Sequence, residues 1–322
     1  MADSPEARAL LPALRAAARL IRRVQQTLVT PAQKAGQEPV TIADYGSQVI
    51  LCRAIQQHFP QDAVIAEERA SDFLSTLPPE GRQQVARFLA DVLSQPVDER
   101  AICAWLDFGR HRQAPRAWAI DPLDGTLGFL AGRRYTVAVA LLLEGAPVFC
   151  AMACPQYPYP GGQGLLFYVE SGRALMCPLE DEAAAPTPIH VNAEADPARA
   201  TALESVEAVH TDHAAFQRIR AVLGADEQRV IRMDGQDKYA AVARGEAEYY
   251  LRVSPTPGRR EKLWDHAAGA LLVTAAGGRV TDLDGMPLDF STGATLARNR
   301  GIVASNGALH ERLLAAVRAA GV

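Results

Sequence analysis

Trp118-Ala119-Ile120-Asp121-Pro122-Leu123-Asp124-Gly125-Thr126 is the stretch on which the reading of this chain turns. An apolar, strand-like run stops at two aspartates three apart, with a proline between them and a glycine and a threonine just behind. Pro122 fixes its own φ and has no N–H to give to a ladder, while Gly125 permits a sharp reversal. Both carboxylates are therefore expected at a rigid strand end. Side by side they repel, and each resists ionising. A cation between them removes that repulsion, and paired oxygen ligands of this kind suit Mg²⁺. The same residues can also form a plain tight turn with a capping aspartate, so the motif has to be weighed with its surroundings.

Those surroundings are ordinary in composition. The chain has 322 residues, 48% hydrophobic and 22% charged, enough for two domains or one large one with a real core. A formal net charge of -4 argues against a nucleic-acid partner. Five cysteines, odd in number and sparsely placed, suggest reduced thiols and a cytoplasmic location. Cys150 and Cys154 have no matching second pair and read as core packing. No apolar run reaches the roughly 18 residues of a membrane span, so no membrane partner is expected. Residues 13–28 are rich in Ala, Leu and Arg, but the spacing of Leu14, Ala18, Ile21 and Leu28 fits an ordinary first helix.

A helix is expected from Ser4-Pro5-Glu6 to about Leu28, and a second from Thr41 to His58. Ala63 to Ala66 reads as a short strand ending at Glu67-Glu68, 78–94 as a helix, and 107–117 as a polar, basic hairpin connection. Strands follow at Ala117–Ile120, Tyr135–Leu143, Val148–Ala153, Leu165–Val169 and Ala174–Cys177, punctuated as in an antiparallel sheet. Residues 180–198, with three prolines, read as a linker. Beyond it come strand 205–209, helix 213–223, strand 229–232, helix 236–244, strand 247–252, helix 265–276, strands 279–282 and 302–304, and helix 307–319. This alternation indicates α/β layering. The division implied is an α+β domain over 1–190, carrying most of the acids, and an α/β domain over 191–322.

Further acids sit at element ends. Asp44 lies at a helix start in Pro39-Val-Thr-Ile-Ala-Asp-Tyr-Gly-Ser-Gln48, and Glu67-Glu68 closes a strand. Trp264-Asp265-His266-Ala267-Ala268-Gly269 opens an apolar helix that Gly277-Gly278 ends. Singly, Asp44 and Asp265 are explained as N-caps and Glu67-Glu68 as a solvated strand end. All of them in this order is much harder to obtain by chance.

Together these segments resemble the lithium-sensitive, Mg²⁺-dependent phosphatases of the inositol monophosphatase superfamily and, within it, the 3'(2'),5'-bisphosphate nucleotidases. The stretches 39–48, Ser205-Val-Glu-Ala-Val-His-Thr-Asp-His213, 261–269, Pro287-Leu-Asp-Phe290 and Gly301-Ile-Val-Ala-Ser305 carry the likeness to that branch. The resemblance implies a two-lobed αβαβα sandwich, α+β and α/β in its parts. It implies Glu67, Asp121, Asp124 and Asp265, with the Leu123 carbonyl, as ligands of two or three Mg²⁺ ions. Thr126 and Asp44 resemble the pair that orients and activates water. Thr126, Asp265, Gly235, Lys238, Arg252 and His213, with His210 as its rival, match substrate positions. Without the resemblance, Lys238 and Arg252 read as a helix-surface and a strand-edge residue.

Two positions depart from the family pattern: Leu127 stands where lysine is usual, and Gly235 where many relatives carry serine. The activity implied is hydrolysis of 3'-phosphoadenosine 5'-phosphate, a small phosphorylated nucleotide, to AMP and phosphate. The resemblance also implies 3'-phosphoadenosine 5'-phosphosulfate as a second substrate, which would tie the protein to sulfur metabolism. The protein is expected as a monomer or homodimer. The alternatives are an inositol phosphate or inositol polyphosphate 1-phosphatase, and a non-catalytic nucleotide-binding sensor.

Overall fold

The computed structural model describes residues 4–27, 32–33, 39–40, 42–207, 211–256 and 258–322. In chain order the elements are α1 (Pro5–Thr27), a short pair β1 (Ala32–Gln33) and β2 (Pro39–Val40), α2 (Ile42–His58), β3 (Ala63–Ala66), α3 (Ala70–Thr76), α4 (Pro79–Leu93) and α5 (Glu99–Leu106). Next come β4 (Arg116–Asp124), α6 (Thr126–Leu130), β5 (Thr136–Leu143), β6 (Ala146–Tyr159), β7 (Gly162–Glu170), β8 (Arg173–Pro178) and β9 (Thr187–Pro188). The remainder is β10 (Ala202–Glu204), α7 (His213–Leu223), β11 (Val230–Arg232), α8 (Asp237–Ala243), β12 (Tyr249–Arg252), α9 (Ala267–Ala275), β13 (Arg279–Thr281), β14 (Ile302–Ser305) and α10 (His310–Ala319).

Strands β3 to β9 form a seven-stranded sheet in sequence order, antiparallel except for the parallel β3–β4 pair. Alternation along β4 sends Trp118 and Ile120 to one face and Ala119 to the other. The first face packs against α1 and α2, and the second, lined by Ala119, Ala138, Ala140 and Met152, receives α8 and α9. Small side chains there let α9 lie close to the sheet. A five-stranded sheet, ordered β11-β10-β12-β14-β13, takes α8 and α9 on one face through Leu203, Tyr250 and Ala304. Its other face buries Tyr249, Leu251 and Val303 against α7 and α10. The layers are thus helix, sheet, helix, sheet, helix. No helix among the described residues is long and apolar enough to cross a membrane.

Several expectations are corrected. Residues 107–115 are not a hairpin connection: β3 and β4 are parallel, and parallel neighbours need a crossover, here α3 to α5. The strand expected at 205–209 lies at 202–204, where it pairs with β11 and β12. Ser205 to Glu207 are outside it, and 208–210 are outside the described residues. The helix expected from 265 begins at Ala267, with His266 as its N-cap residue, so Asp265 lies in the turn before it.

Candidate active site

In a regular strand, residues three apart point to opposite faces. Asp121 and Asp124 escape this because β4 is irregular between them: Asp121 faces Ala138 and Asp124 faces Thr136 on β5. Three residue steps on β4 thus match two on its partner. That extra residue turns both carboxylates toward the same cavity, as bulges beside functional sites do. The backbone N–H of Leu123 donates to Asp121 Oδ1 at 3.2 Å, and Thr126 Oγ1 donates to the Leu123 carbonyl at 3.2 Å. Gly125, at φ 88°, makes the reversal into α6.

Asp44 is buried in the first turn of α2. One turn further on, the Gln48 amide brackets the chain at Glu68: its Nε2 donates to the Glu68 carbonyl at 2.8 Å, and its Oε1 accepts from the Glu68 N–H at 2.8 Å. Arg110 donates to the carbonyls of Ala66 (3.1 Å) and Glu68. These bonds hold the turn bearing Glu67 against the helix bearing Asp44.

One cavity of about 860 Å³ gathers Asp44, Glu67, Asp121, Leu123, Asp124, Thr126 and Asp265 with Gly235, Lys238 and Arg252. Leu127 also lines it. Asp121 is 2% exposed, and burial, followed by the charges of Asp124, Glu67, Asp265 and Asp44, pushes its carboxyl well above the usual range. Burial also raises Asp124, against the opposing pull of Lys238 and Arg252.

Cations face these acids. Lys238 is buried, and its Nζ donates to the carbonyls of Met233 (3.0 Å) and Gly235 (2.7 Å) and lies 5.3 Å from the Tyr250 ring centre. Burial lowers its ammonium to about 8, although Asp124 works in the opposite direction. Arg252 pairs with Glu261 at 3.2 Å. Burial alone would raise Glu261, but His266 and Arg252 hold it at about 2. Glu261, Asp265 and His266 could each place a ligand atom within 4.8 Å of the others. Glu261 is nonetheless committed to Arg252, and the His266 ring to Tyr239 at 2.7 Å.

The segment bearing Gly235 and Lys238 is pressed against the aspartate turn. A Cβ on Gly128 would lie 2.5 Å from the Arg134 carbonyl oxygen and 2.8 Å from Asp234 Cβ. One on Gly235, whose φ is +64°, would lie 2.9 Å from the Asp124 carbonyl oxygen. A serine at 235 would be strained in this backbone, which gives the glycine there a physical reason. Arg133 ties the contact by donating to Asp234 (2.8 Å) and Glu207 (2.6 Å), and Thr136 Oγ1 donates to Asp237 Oδ1 at 2.6 Å.

The expected residues therefore converge, with two exceptions. His213 opens α7 and its Nδ1 bonds Glu204, a buried carboxylate that also accepts from Arg232 at 2.9 Å. It is not on the cavity wall. His210 lies outside the described residues. Sequence reasoning assigned no role to Gln48, Arg110, Gln236 or Glu261. The first three have polar partners that only the folded chain brings near, and only the quoted stretches 39–48 and 261–269 hinted at any of the four.

Acids that repel one another and buried cations thus share the wall of one cavity. The chain belongs to the inositol monophosphatase family, whose pattern matches residues 3–321. That family is metal-dependent. A 3'(2'),5'-bisphosphate nucleotidase of Oryza sativa is 36% identical, covering 98% of this chain and 95% of its own. One from Emericella nidulans is 35% identical, with 88% and 89% covered. Among solved structures, the extragenic suppressor protein suhB of Bartonella henselae is 20% identical, and its TM-score of 0.68 over 98% of this chain and 99% of its own shows the shared fold.

Proposed function

We propose that this chain is a metal-dependent 3'(2'),5'-bisphosphate nucleotidase, which removes the 3'-phosphate of 3'-phosphoadenosine 5'-phosphate to leave AMP and phosphate. One observation carries the reading: five carboxylates from four separate segments meet at one cavity with buried Lys238 and Arg252. The likeness to nucleotidases along nearly the whole chain supports the choice of substrate.

The donor set fits Mg²⁺. Asp44, Glu67, Asp121, Asp124 and Asp265 offer only hard oxygen atoms, and the raised Asp121 carboxyl records a charge density that a divalent cation offsets. Glu67, Asp121, Asp124, Asp265 and the Leu123 carbonyl would hold two or three such ions. When bound, they supply Lewis acidity to the phosphoryl group and offset charge on the leaving oxygen.

The protein's own groups do the rest. Thr126 Oγ1 donates its proton to the Leu123 carbonyl, which leaves its lone pairs to accept a hydrogen bond from the attacking water. Asp44 takes the one proton that this water gives up, and the two residues together align it for in-line displacement. The 3'-oxygen departs with the electrons of the broken P–O bond and takes a proton from solvent. Lys238 and Arg252 neutralise the 5'-phosphate. They would equally hold the 5'-phosphosulfate of the related second substrate. Residues 1–190 and 191–322 form the two lobes of this enzyme.

The test is phosphate release, with Mg²⁺, from 3'-phosphoadenosine 5'-phosphate, its phosphosulfate and myo-inositol 1-phosphate. The nucleotides should be turned over with the higher kcat/KM. A preference for the inositol ester would overturn the substrate while leaving the phosphatase chemistry standing.

A further inference from the structure

Gln236 stands between Gly235, which touches the Asp124 carbonyl, and the first turn of α8, which carries Lys238. It is 2% exposed, and its Nε2 donates to two acceptors: Asp121 Oδ2 at 3.3 Å and the Trp264 carbonyl at 3.2 Å. Both acceptors face the same atom, which settles the amide orientation, since an oxygen there would meet only other oxygens. The two N–H groups reach different parts of the chain. Asp121 belongs to β4 in the first sheet, and Trp264 immediately precedes Asp265 in the turn before α9.

We propose that Gln236 is a positioning residue: its amide fixes the Asp121 carboxylate relative to the turn that carries Asp265, and so sets the spacing of two cation-binding acids on different lobes. The proposal rests on the phosphatase reading given above. The remaining bonds to Asp121 support it. Oδ1 is held locally by the Leu123 N–H, two residues along the same strand. Oδ2 is held by Gln236, 115 residues away in sequence. The local bond fixes the carboxylate within its own strand, and the long-range one registers it against the opposite lobe. Groups that hydrogen-bond a metal ligand orient it and tune its affinity.

A structural consequence follows for ligand binding. The segment that grips Asp121 also carries Lys238, so a phosphate drawn to Lys238 acts on the backbone from which Gln236 reaches the acid. Lost donors at 236 would leave Asp121 Oδ2 and the Trp264 carbonyl buried with one partner fewer, and the carboxylate free to turn.

The experiment compares the wild-type full chain with Gln236→Met, which keeps the length and approximate volume of the side chain and removes both donors. Mg²⁺ binding is titrated by calorimetry, AMP binding is measured in EDTA, and Tm is recorded in EDTA. Gln236→Met should weaken Mg²⁺ binding by about tenfold or more, with AMP affinity close to wild type and Tm lowered by only a few degrees. Equal Mg²⁺ affinity in the two proteins overturns the assignment. So does a loss of Mg²⁺ affinity matched by an equal loss of AMP affinity or by a collapse of Tm, either of which makes Gln236 a packing residue. If Gln236→Met fails to fold, Gln236→Asn, whose shorter amide cannot span both acceptors, is read by the same criteria. A wild-type chain that takes up no Mg²⁺ sinks the phosphatase reading itself and is distinguishable from failure of the Gln236 assignment.

Discussion

The two sides of the cavity are built by opposite means. The acid side, Asp44, Glu67, Asp121 and Asp124, sits at or near the ends of elements around the seven-stranded sheet, braced by bonds to backbone. On the basic side, Lys238 and Arg252 are buried charges whose pairing depends on Glu261 and on the carbonyls of Met233 and Gly235. The acid side meets mutual repulsion that a cation relieves. The basic side meets desolvation that a phosphate relieves. Each side is therefore incomplete alone, and each should fail in its own way when altered.

The largest effect is expected on the acid side. Asp124→Asn should keep the fold and lower kcat roughly a thousandfold, equivalent to about 4 kcal/mol of barrier. Circular dichroism and phosphate release check it, and near-normal turnover would remove Asp124 from the cation site. Lys238→Met should act on binding instead, weakening nucleotide affinity by roughly thirtyfold for a lost charge-assisted contact of about 2 kcal/mol. This pair also has a pH signature. The Lys238 ammonium is present in the folded protein below about pH 8 and lost above it. AMP affinity should therefore fall as pH rises past that point, and Lys238→Met should lose this alkaline decline. An unchanged profile in the variant would assign the decline elsewhere.

A smaller effect tests the bracing. Gln48→Leu leaves the buried Glu68 N–H without its acceptor and the Glu68 carbonyl with Arg110 in place of two donors, which costs about 2 kcal/mol of stability and about tenfold in Mg²⁺ affinity. Thermal melts and calorimetry read both, and a change in neither would make the bracket superfluous. The smallest belongs to the contact that Arg133 makes with Asp234 and Glu207. Arg133 is partly exposed, so Arg133→Ala should cost about 1 kcal/mol, about 2 °C in Tm, with KM within threefold. A large rise in KM would show that this contact shapes the substrate pocket directly.

The same contrast explains what the sequence could reveal. The acids were legible because each sits beside a local signal: Pro122 and Gly125 around Asp124, a strand end before Glu67, a helix start at Asp44. The α/β layering of the second half was likewise legible in its alternating pattern, whereas the αβαβα sandwich was implied only by the family resemblance. The irregularity that turns Asp121 and Asp124 to one side was not, because it is defined by register against β5. Gln48, Arg110 and Gln236 were missed for a related reason: their acceptors are backbone carbonyls and carboxylates far away in sequence. Strand β10 was misplaced by a few residues because three residues are too few to show a period. His213 was expected at the ligand, yet Glu204 competes for it, and no local pattern announces a buried acid in need of donors.

The close fit of Gly128 and Gly235 bears on what this contact tolerates. A methyl at 128 would press on the Arg134 carbonyl and the Asp234 side chain, and one at 235 on the Asp124 carbonyl, so enlarging either residue moves the aspartate turn itself. Arg69, Arg259 and Lys262 also line the cavity and add positive charge to its wall, which favours an anionic visitor.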